Sequence, residues 1–172
     1  MMSRFKGEPV HLLIVGSGPE EAFLRQETAE RGLDSQVHFL GFVEEQEKFR
    51  ILRMSDIYAS TSQHEGFGLV FLEGMACELP VICYDNGGQT DFLRDKMTGF
   101  LVPLNDLDLF IEQCETLIRN PVLRRGFGQN NLQLVEDFFI DSCATKYETL
   151  FHKAVVARSN VKQAWTFQER TA

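Results

Sequence analysis

Short apolar runs alternate with amphipathic segments along the first hundred residues of the chain. The run "VHLLIVG" at residues 10–16 is almost entirely apolar and ends in glycine, which is typical of a strand buried on both faces. Comparable runs occur at residues 36–41, 56–61, 80–85 and 99–102, and helical patterns separate most of them. This alternation predicts an α/β fold with an open parallel sheet and helices on both faces.

The first amphipathic segment carries signals for both ends of a helix. Pro19 is predicted at the first helical position, and Glu20 and Glu21 would lie in the first turn, where the helix dipole favours acidic side chains. Gly32 is expected to end the helix.

After Pro103 the pattern indicates helices alone. Apolar residues spaced three and four apart predict an amphipathic helix behind an Asn105 cap, and Asn120 with Pro121 predicts the start of another. A further helix follows, and its periodicity is lost near residue 158. We therefore expect one domain over residues 1–157 and a frayed or partner-dependent tail over residues 158–172.

Composition excludes several function classes. The chain has 172 residues, of which 44% are apolar, enough for one substantial core but short for two domains. A formal charge of -8 opposes broad attraction to nucleic acid or anionic lipid, so no nucleic-acid partner is expected. The four cysteines lack metal-site spacing, which favours reduced thiols, no metal and a cytoplasmic location. No apolar leader or run of about 20 apolar residues is present.

The stretch "HEGFGLVFLEG" at residues 64–74 carries the candidate chemistry. It lies between a predicted strand and a predicted helix, at the sheet edge where ligands bind in open α/β folds. Gly66 and Gly68 leave backbone N–H groups available for a phosphate at the helix start. Glu73 follows about one and a half turns later, and Glu65 precedes the helix. The two carboxylates are thus placed to hold opposite ends of one nucleotide sugar.

The longer segment "STSQHEGFGLVFLEGMACELPVICYDNGG" resembles the retaining glycosyltransferases of the glycogen-synthase-like, group 1 type. The similarity extends to "HLLIVGSGPE", "VHFLGFV" and "TGFLVP", and so covers residues 10 to about 157. It implies the Rossmann-like, donor-binding C-terminal half of a two-domain fold called GT-B. The resemblance further implies that the complete enzyme transfers a hexose from a UDP- or GDP-sugar to a hydroxyl acceptor with retention, using no metal and no cofactor. Peripheral membrane association would concern that complete enzyme.

The resemblance also implies individual roles. Glu65 would contact the donor sugar as the catalytic residue, and Glu73 would hold the ribose hydroxyls. The diphosphate would meet the backbone of Gly66, Phe67, Gly68 and Leu69, and the base pocket would be formed by the loops containing Gly16, Gly18, Gly41, Phe42 and Val43.

This sequence also departs from the family pattern. The family's domain opens with a further strand and a loop bearing an Arg and a Lys, which would lie upstream of Met1, and the N-terminal acceptor-binding domain is missing as well. Asp91 stands where a glutamate is usual, and Phe139 lies near a position that is often Trp. Arg94 and Lys96 follow the Gly-Gly turn, where a solvated turn is favoured over phosphate contact.

The missing strand would lie between the strands at residues 10–16 and 56–60. Its loss would make these two strands pair directly, or leave a gap that a partner chain fills. We expect that the isolated chain does not transfer sugar.

Three alternatives stay open at this point. The chain is a non-catalytic nucleotide-sugar-binding subunit or fragment that needs a partner acceptor domain, an epimerase or phosphorylase of related fold, or a structural remnant. A Rossmann dehydrogenase is disfavoured, because "GSGP" lacks the full G-x-G-x-x-G pattern.

Overall fold

The structure, a computed structural model, describes the backbone of residues 1–169 and the side chains of residues 1–158. The chain forms two compact units, one over Met1–Leu132 and one that begins at Gln133. Every residue of the candidate site lies in the first unit.

Five strands and six α-helices make up the described chain, and their order confirms the predicted alternation. The strands are β1 (Leu12–Val15), β2 (Val37–Gly41), β3 (Tyr58–Ala59), β4 (Val81–Tyr84) and β5 (Gly99–Val102). The helices are α1 (Glu21–Glu30), α2 (Glu45–Met54), α3 (Leu69–Ala76), α4 (Leu107–Arg119), α5 (Pro121–Val135) and α6 (Ile140–Glu169). Short 3₁₀ turns cover Met2–Phe5, Gly88–Asp91 and Glu136–Phe138.

The strands form two separate parallel sheets. β1 pairs with β2, and β3, β4 and β5 form a second sheet in that order. Within residues 1–169 β1 and β3 do not pair, and a cavity of about 460 Å³ between them is lined by Leu13, Ile57 and Ala59 among others. All four residues of the central β4 are buried, whereas Val15 of β1 is 42% exposed. The structure therefore has a gap at the predicted place, and not direct pairing.

The apolar core lies around β4 and β5 and extends beneath the first residues of the chain. Ile82, Val102 and Phe110 are fully buried there, together with Phe5 of the first 3₁₀ turn. The Gln36 side chain fixes this N-terminal segment, since the two N–H groups of its Nε2 are shared among the carbonyl oxygens of residues 5, 8 and 10, each 2.9 Å away. A buried amide with several partners is stable in an apolar environment.

The predicted start of α1 is wrong by two residues. Pro19 precedes the helix, which begins at Glu21 with Glu20 as its N-cap. The Glu21 N–H donates to the Gly18 carbonyl at 3.1 Å, so a turn at Pro19 comes before the first helical residue. The predicted stop is confirmed, because Gly32 follows the C-cap with a φ of +62°.

The predicted cap of α4 is also wrong. Asp106 is the N-cap, and its Oδ1 accepts a hydrogen bond from the Leu109 N–H at 3.0 Å. Asn105 adopts a left-handed conformation with a φ of +65°, which asparagine tolerates better than most residues. Its side chain instead accepts a hydrogen bond from Gln63 Nε2 at 2.9 Å.

The second unit contains the last turn of α5, the 3₁₀ turn Glu136–Phe138 and α6. α6 continues through residues 157 and 158, so no break in the backbone marks the predicted division there; the division stays a prediction, and its last residues, 170–172, lie outside the described part. No described helix is both long enough and apolar enough to cross a bilayer.

Candidate functional site

The start of α3 is an uncapped helix N-terminus on the protein surface. Gly68 is the N-cap residue with a φ of +91°, and among the described side chains none accepts a hydrogen bond from the first N–H groups of the helix. Leu69 and Val70, which carry the first two of these N–H groups, are exposed. Unpaired N–H groups together with the helix dipole favour an anion at this end.

The loop before α3 packs against the Gly87–Gly88 turn. The Gly88 N–H donates to the Glu65 carbonyl oxygen at 2.9 Å. A Cβ atom at Gly88 would overlap the Gly66 carbonyl oxygen, and one at Gly87, whose φ is +113°, would lie 2.8 Å from the Glu65 carbonyl oxygen. The two glycines therefore allow the turn to hold the backbone of the loop that carries Glu65. Sequence reasoning had found this turn only as part of the family pattern.

Tyr58 lies close to both predicted glutamates. Burial, followed by the negative charges of Glu65 and Glu73, raises the pKa of Tyr58 to about 12. Its ring packs edge-on against Phe71, with centroids 5.6 Å apart, and sits over Gly74, where a Cβ would be 3.1 Å from the Tyr58 Cγ. Tyr58 thus lies near both carboxylates and packs against α3. Its position in β3, the strand that precedes the Glu65 loop, was the signal that sequence reasoning missed.

Glu73 forms an ion pair that the sequence did not predict. Lys48 Nζ lies 2.6 Å from Glu73 Oε1, and both side chains are about three-tenths exposed. Lys48 belongs to the first turn of α2, where its N–H donates to the Glu44 carbonyl at 2.9 Å. The pair therefore joins the start of α2 to the middle of α3.

The loops predicted to form a base pocket lie side by side at the carboxyl ends of β1 and β2. The Gly16 N–H donates to the Gly41 carbonyl oxygen at 2.7 Å, and both glycines have positive φ. Phe42 is 77% exposed, and Gly18 and Val43 complete the two loops. Lys48 follows Phe42 by only a few residues along the chain. Its ion pair with Glu73 therefore places the segment after these loops against α3.

The Arg94 side chain is engaged by the protein itself. Its guanidinium donates to the carbonyl oxygens of Thr90, Asp91 and Leu93 at 2.9 to 3.1 Å. Arg94 therefore caps the 3₁₀ turn with its side chain, a contact that the sequence did not predict. Among residues whose side chains are described, no three His, Cys, Asp or Glu side chains converge at metal-binding distances.

Residues 2–133 match the family model described as glycosyl transferases group 1. The chain belongs to this family. It is 32% identical over 147 residues to the O-antigen chain mannosyltransferase C of Escherichia coli, and the match covers 81% of this chain but 39% of that protein. The chain thus spans about two-fifths of the length of this relative.

Solved structures of the family share the fold. The C-terminal domain of the group 1 protein LpcC from Francisella tularensis aligns with a TM-score of 0.71 and 29% identity, covering 78% of this chain and 73% of that one. A TarM mutant from S. aureus, solved with fondaparinux, alpha-GlcNAc-glycerol and UDP, aligns with a TM-score of 0.78 and 26% identity. The alignment covers 87% of this chain and 30% of the TarM chain. This group 1 chain thus corresponds to the nucleotide-sugar-binding C-terminal domain of GT-B glycosyltransferases.

Buried phenol and thiol groups make this group 1 domain sensitive to alkali. Burial raises the pKa values of Cys83 and Cys114 from 9.0 to about 12, with the Asp85 charge adding to the effect at Cys83. The pKa of Tyr58 rises from 10.0 to about 12. Because each group has a higher pKa when folded, its contribution to stability is complete below the unfolded pKa and is lost as pH rises to the folded pKa.

We expect the free energy of unfolding to be steady up to about pH 8.5 and to fall between pH 9 and 12, by about 1 kcal/mol at pH 11 for a group such as Tyr58. Urea denaturation at a series of pH values measures this fall. Tyr58→Phe should flatten the curve between pH 10 and 12, while the exposed Tyr147 offers Tyr147→Phe as a control that should not. Identical pH dependence of wild type and Tyr58→Phe would contradict the expectation.

Proposed function

We propose that this chain is the donor-binding domain of a retaining glycosyltransferase that transfers a hexose from a nucleoside diphosphate sugar to a hydroxyl acceptor. The observation that carries the proposal is the uncapped start of α3, which Glu65 precedes and Glu73 follows along the chain, with both carboxylates near Tyr58. Along the chain the helix start, which favours an anion, stands between two carboxylates, and carboxylates accept hydrogen bonds from hydroxyl groups. A nucleoside diphosphate sugar has this order of groups, with a diphosphate between two sugars.

Each part of the site has a task in the proposed reaction. Departure of the nucleoside diphosphate develops negative charge, which the N–H groups at Gly68 to Val70 stabilise without reorganising. Glu65 approaches the donor sugar, where positive charge develops at the anomeric carbon. Glu73 accepts hydrogen bonds from the ribose and so fixes the donor for transfer. The loops at Gly16–Gly18 and Gly41–Val43 receive the base.

The complex of TarM with UDP and the mannosyltransferase name of the Escherichia coli relative support a nucleoside diphosphate sugar as the donor. The two names concern different sugars, so they support the donor class and not one hexose. Specificity for the hexose and the acceptor is proposed to depend on the acceptor-binding domain that completes the cleft in GT-B enzymes.

Calorimetric titration of UDP, GDP and ADP into the 172-residue chain tests the proposal. We expect saturable binding of one nucleotide, and Glu73→Gln should weaken it by about 1 to 3 kcal/mol, since a hydrogen bond to a charged group is lost. The matched control is Glu112→Gln, which removes the same charge from an exposed position on α4. Absence of binding at millimolar nucleotide, or equal losses in the two variants, would count against the proposed site.

A further inference from the structure

Lys48 and Glu73 present a hydrogen-bond donor and an acceptor side by side at the surface. Their charged atoms are 2.6 Å apart, and neither side chain is buried. The ammonium also lies 5.1 Å from the centre of the Phe49 ring, a distance at which a cation is attracted to an aromatic face. Two contacts therefore fix the position of the Lys48 ammonium.

This ion pair contributes little to folding. Water reaches about three-tenths of each side chain and screens their attraction, and ion pairs that water screens are worth about 0 to 1 kcal/mol. Each partner also keeps free hydrogen-bonding capacity. The Lys48 ammonium has three N–H donors and uses one on Glu73 Oε1, and Glu73 Oε2 retains its own lone pairs. The pair is thus able to bind a ligand without being broken.

Two hydroxyls on neighbouring carbons match this arrangement. A hydroxyl donates one hydrogen bond and accepts others, so one hydroxyl of the diol suits the carboxylate and its neighbour suits the ammonium. The location also fits a ribose, because Lys48 lies between the loops at the ends of β1 and β2 and the helix whose start favours phosphate. A ribose joins the base to the diphosphate in the same order.

We propose that Lys48 and Glu73 together bind the vicinal diol of the donor ribose. Glu73 Oε2 accepts a hydrogen bond from one hydroxyl, and Lys48 Nζ donates to the oxygen of the other. Lys48 is then a specificity residue that distinguishes an intact diol from a deoxyribose. This inference rests on the proposed function, since it concerns the same nucleotide.

Calorimetry with modified nucleotides tests the assignment. UDP, 2′-deoxy-UDP and 3′-deoxy-UDP, or the corresponding set for the base that binds best, are titrated into wild type, Lys48→Met, Lys48→Arg and Lys146→Met. Lys48→Met keeps an unbranched side chain of similar length but removes the ammonium. Lys146 also forms an ion pair, with Asp137 in the second unit, so Lys146→Met is the matched control. Unchanged urea midpoints establish that the variants are folded.

We expect Lys48→Met to weaken binding of the intact nucleotide about tenfold, equivalent to about 1.4 kcal/mol. The deoxy nucleotide that lacks the hydroxyl facing Lys48 should bind wild type and Lys48→Met equally, because the interacting group is already gone. Lys48→Arg should retain part of the difference in affinity between the intact and the deoxy nucleotide. Lys146→Met should retain all of this difference. A structural role for Lys48 would instead weaken all three nucleotides by one factor.

The outcomes separate this inference from the proposed function. The diol assignment is overturned if Lys48→Met lowers the affinity for all three nucleotides by the same factor, leaves it unchanged, or raises it. If Glu73→Gln still weakens binding in that case, the donor site stands. If wild type shows no saturable binding of any nucleoside diphosphate, the proposed function is overturned and this inference with it.

Discussion

Gly88→Ala is expected to abolish nucleoside diphosphate binding and to lower the free energy of unfolding by more than about 2 kcal/mol. The new methyl group would occupy the space of the Gly66 carbonyl oxygen and would also crowd the Phe67 Cα at 3.0 Å. These atoms are backbone, so they cannot move aside as a flexible side chain does. The loop carrying Glu65 would have to leave the turn and lose its hydrogen bond from the Gly88 N–H.

Binding is measured by calorimetry and stability by urea denaturation. Gly126→Ala provides the control, because Gly126 lies in α5 and a Cβ there would meet no atom within 4 Å. This control should bind normally and gain up to about 1 kcal/mol from the higher helix propensity of alanine. Normal binding by Gly88→Ala would show that the Gly-Gly turn does not position the loop.

Phe71→Ala is expected to lower the free energy of unfolding by about 3 to 5 kcal/mol, the usual cost of emptying the space of a buried aromatic ring. Phe71 has no exposed surface, and its ring contacts both Tyr58 and the Gly68 backbone. Removing the ring eliminates its packing contacts with Gly68 at the start of α3 and with the Tyr58 ring. Nucleotide binding should therefore weaken even under conditions in which the variant is still folded.

Phe23→Ala is the comparison for this change. Phe23 lies on α1 and is 56% exposed, so its truncation should cost less than about 1 kcal/mol. Urea midpoints and near-ultraviolet circular dichroism distinguish the two variants. Equal free energies of unfolding for Phe71→Ala and Phe23→Ala would mean that the Phe71 ring does not stabilise the fold more than an exposed ring does.

Periodicity predicted those elements whose burial is determined by their own residues. β4 is the clearest case, since its four residues are apolar or aromatic and all are buried in the centre of a parallel sheet. The start of α3 was also predictable, because glycine readily adopts the positive φ that Gly68 has at the N-cap of this apolar helix. Glu65 and Glu73 became candidates because one precedes and the other follows this helix start along the chain, and their roles stay predictions.

Contacts between distant segments were beyond the reach of local patterns. Lys48 is 25 residues before Glu73 and looks like any exposed helical lysine, so nothing in its neighbourhood indicates the ion pair. The competition between Asn105 and Asp106 for the cap of α4 depended on Gln63, which is 42 residues from Asn105. Asn105 and Asp106 have similar intrinsic preferences for an N-cap position. Contacts made in the folded protein therefore decide which of them caps the helix.

The interrupted sheet gives the candidate site a mechanical property. The loops at Gly16 and Gly41 follow strands on one side of the gap, whereas the loops at Glu65 and Gly88 follow strands on the other. No backbone ladder between β1 and β3 fixes the distance between these two sets of loops in the described chain. A nucleotide bound as proposed, with its base on the first set of loops and its diphosphate on the second, would bridge the two sheets and limit their relative motion.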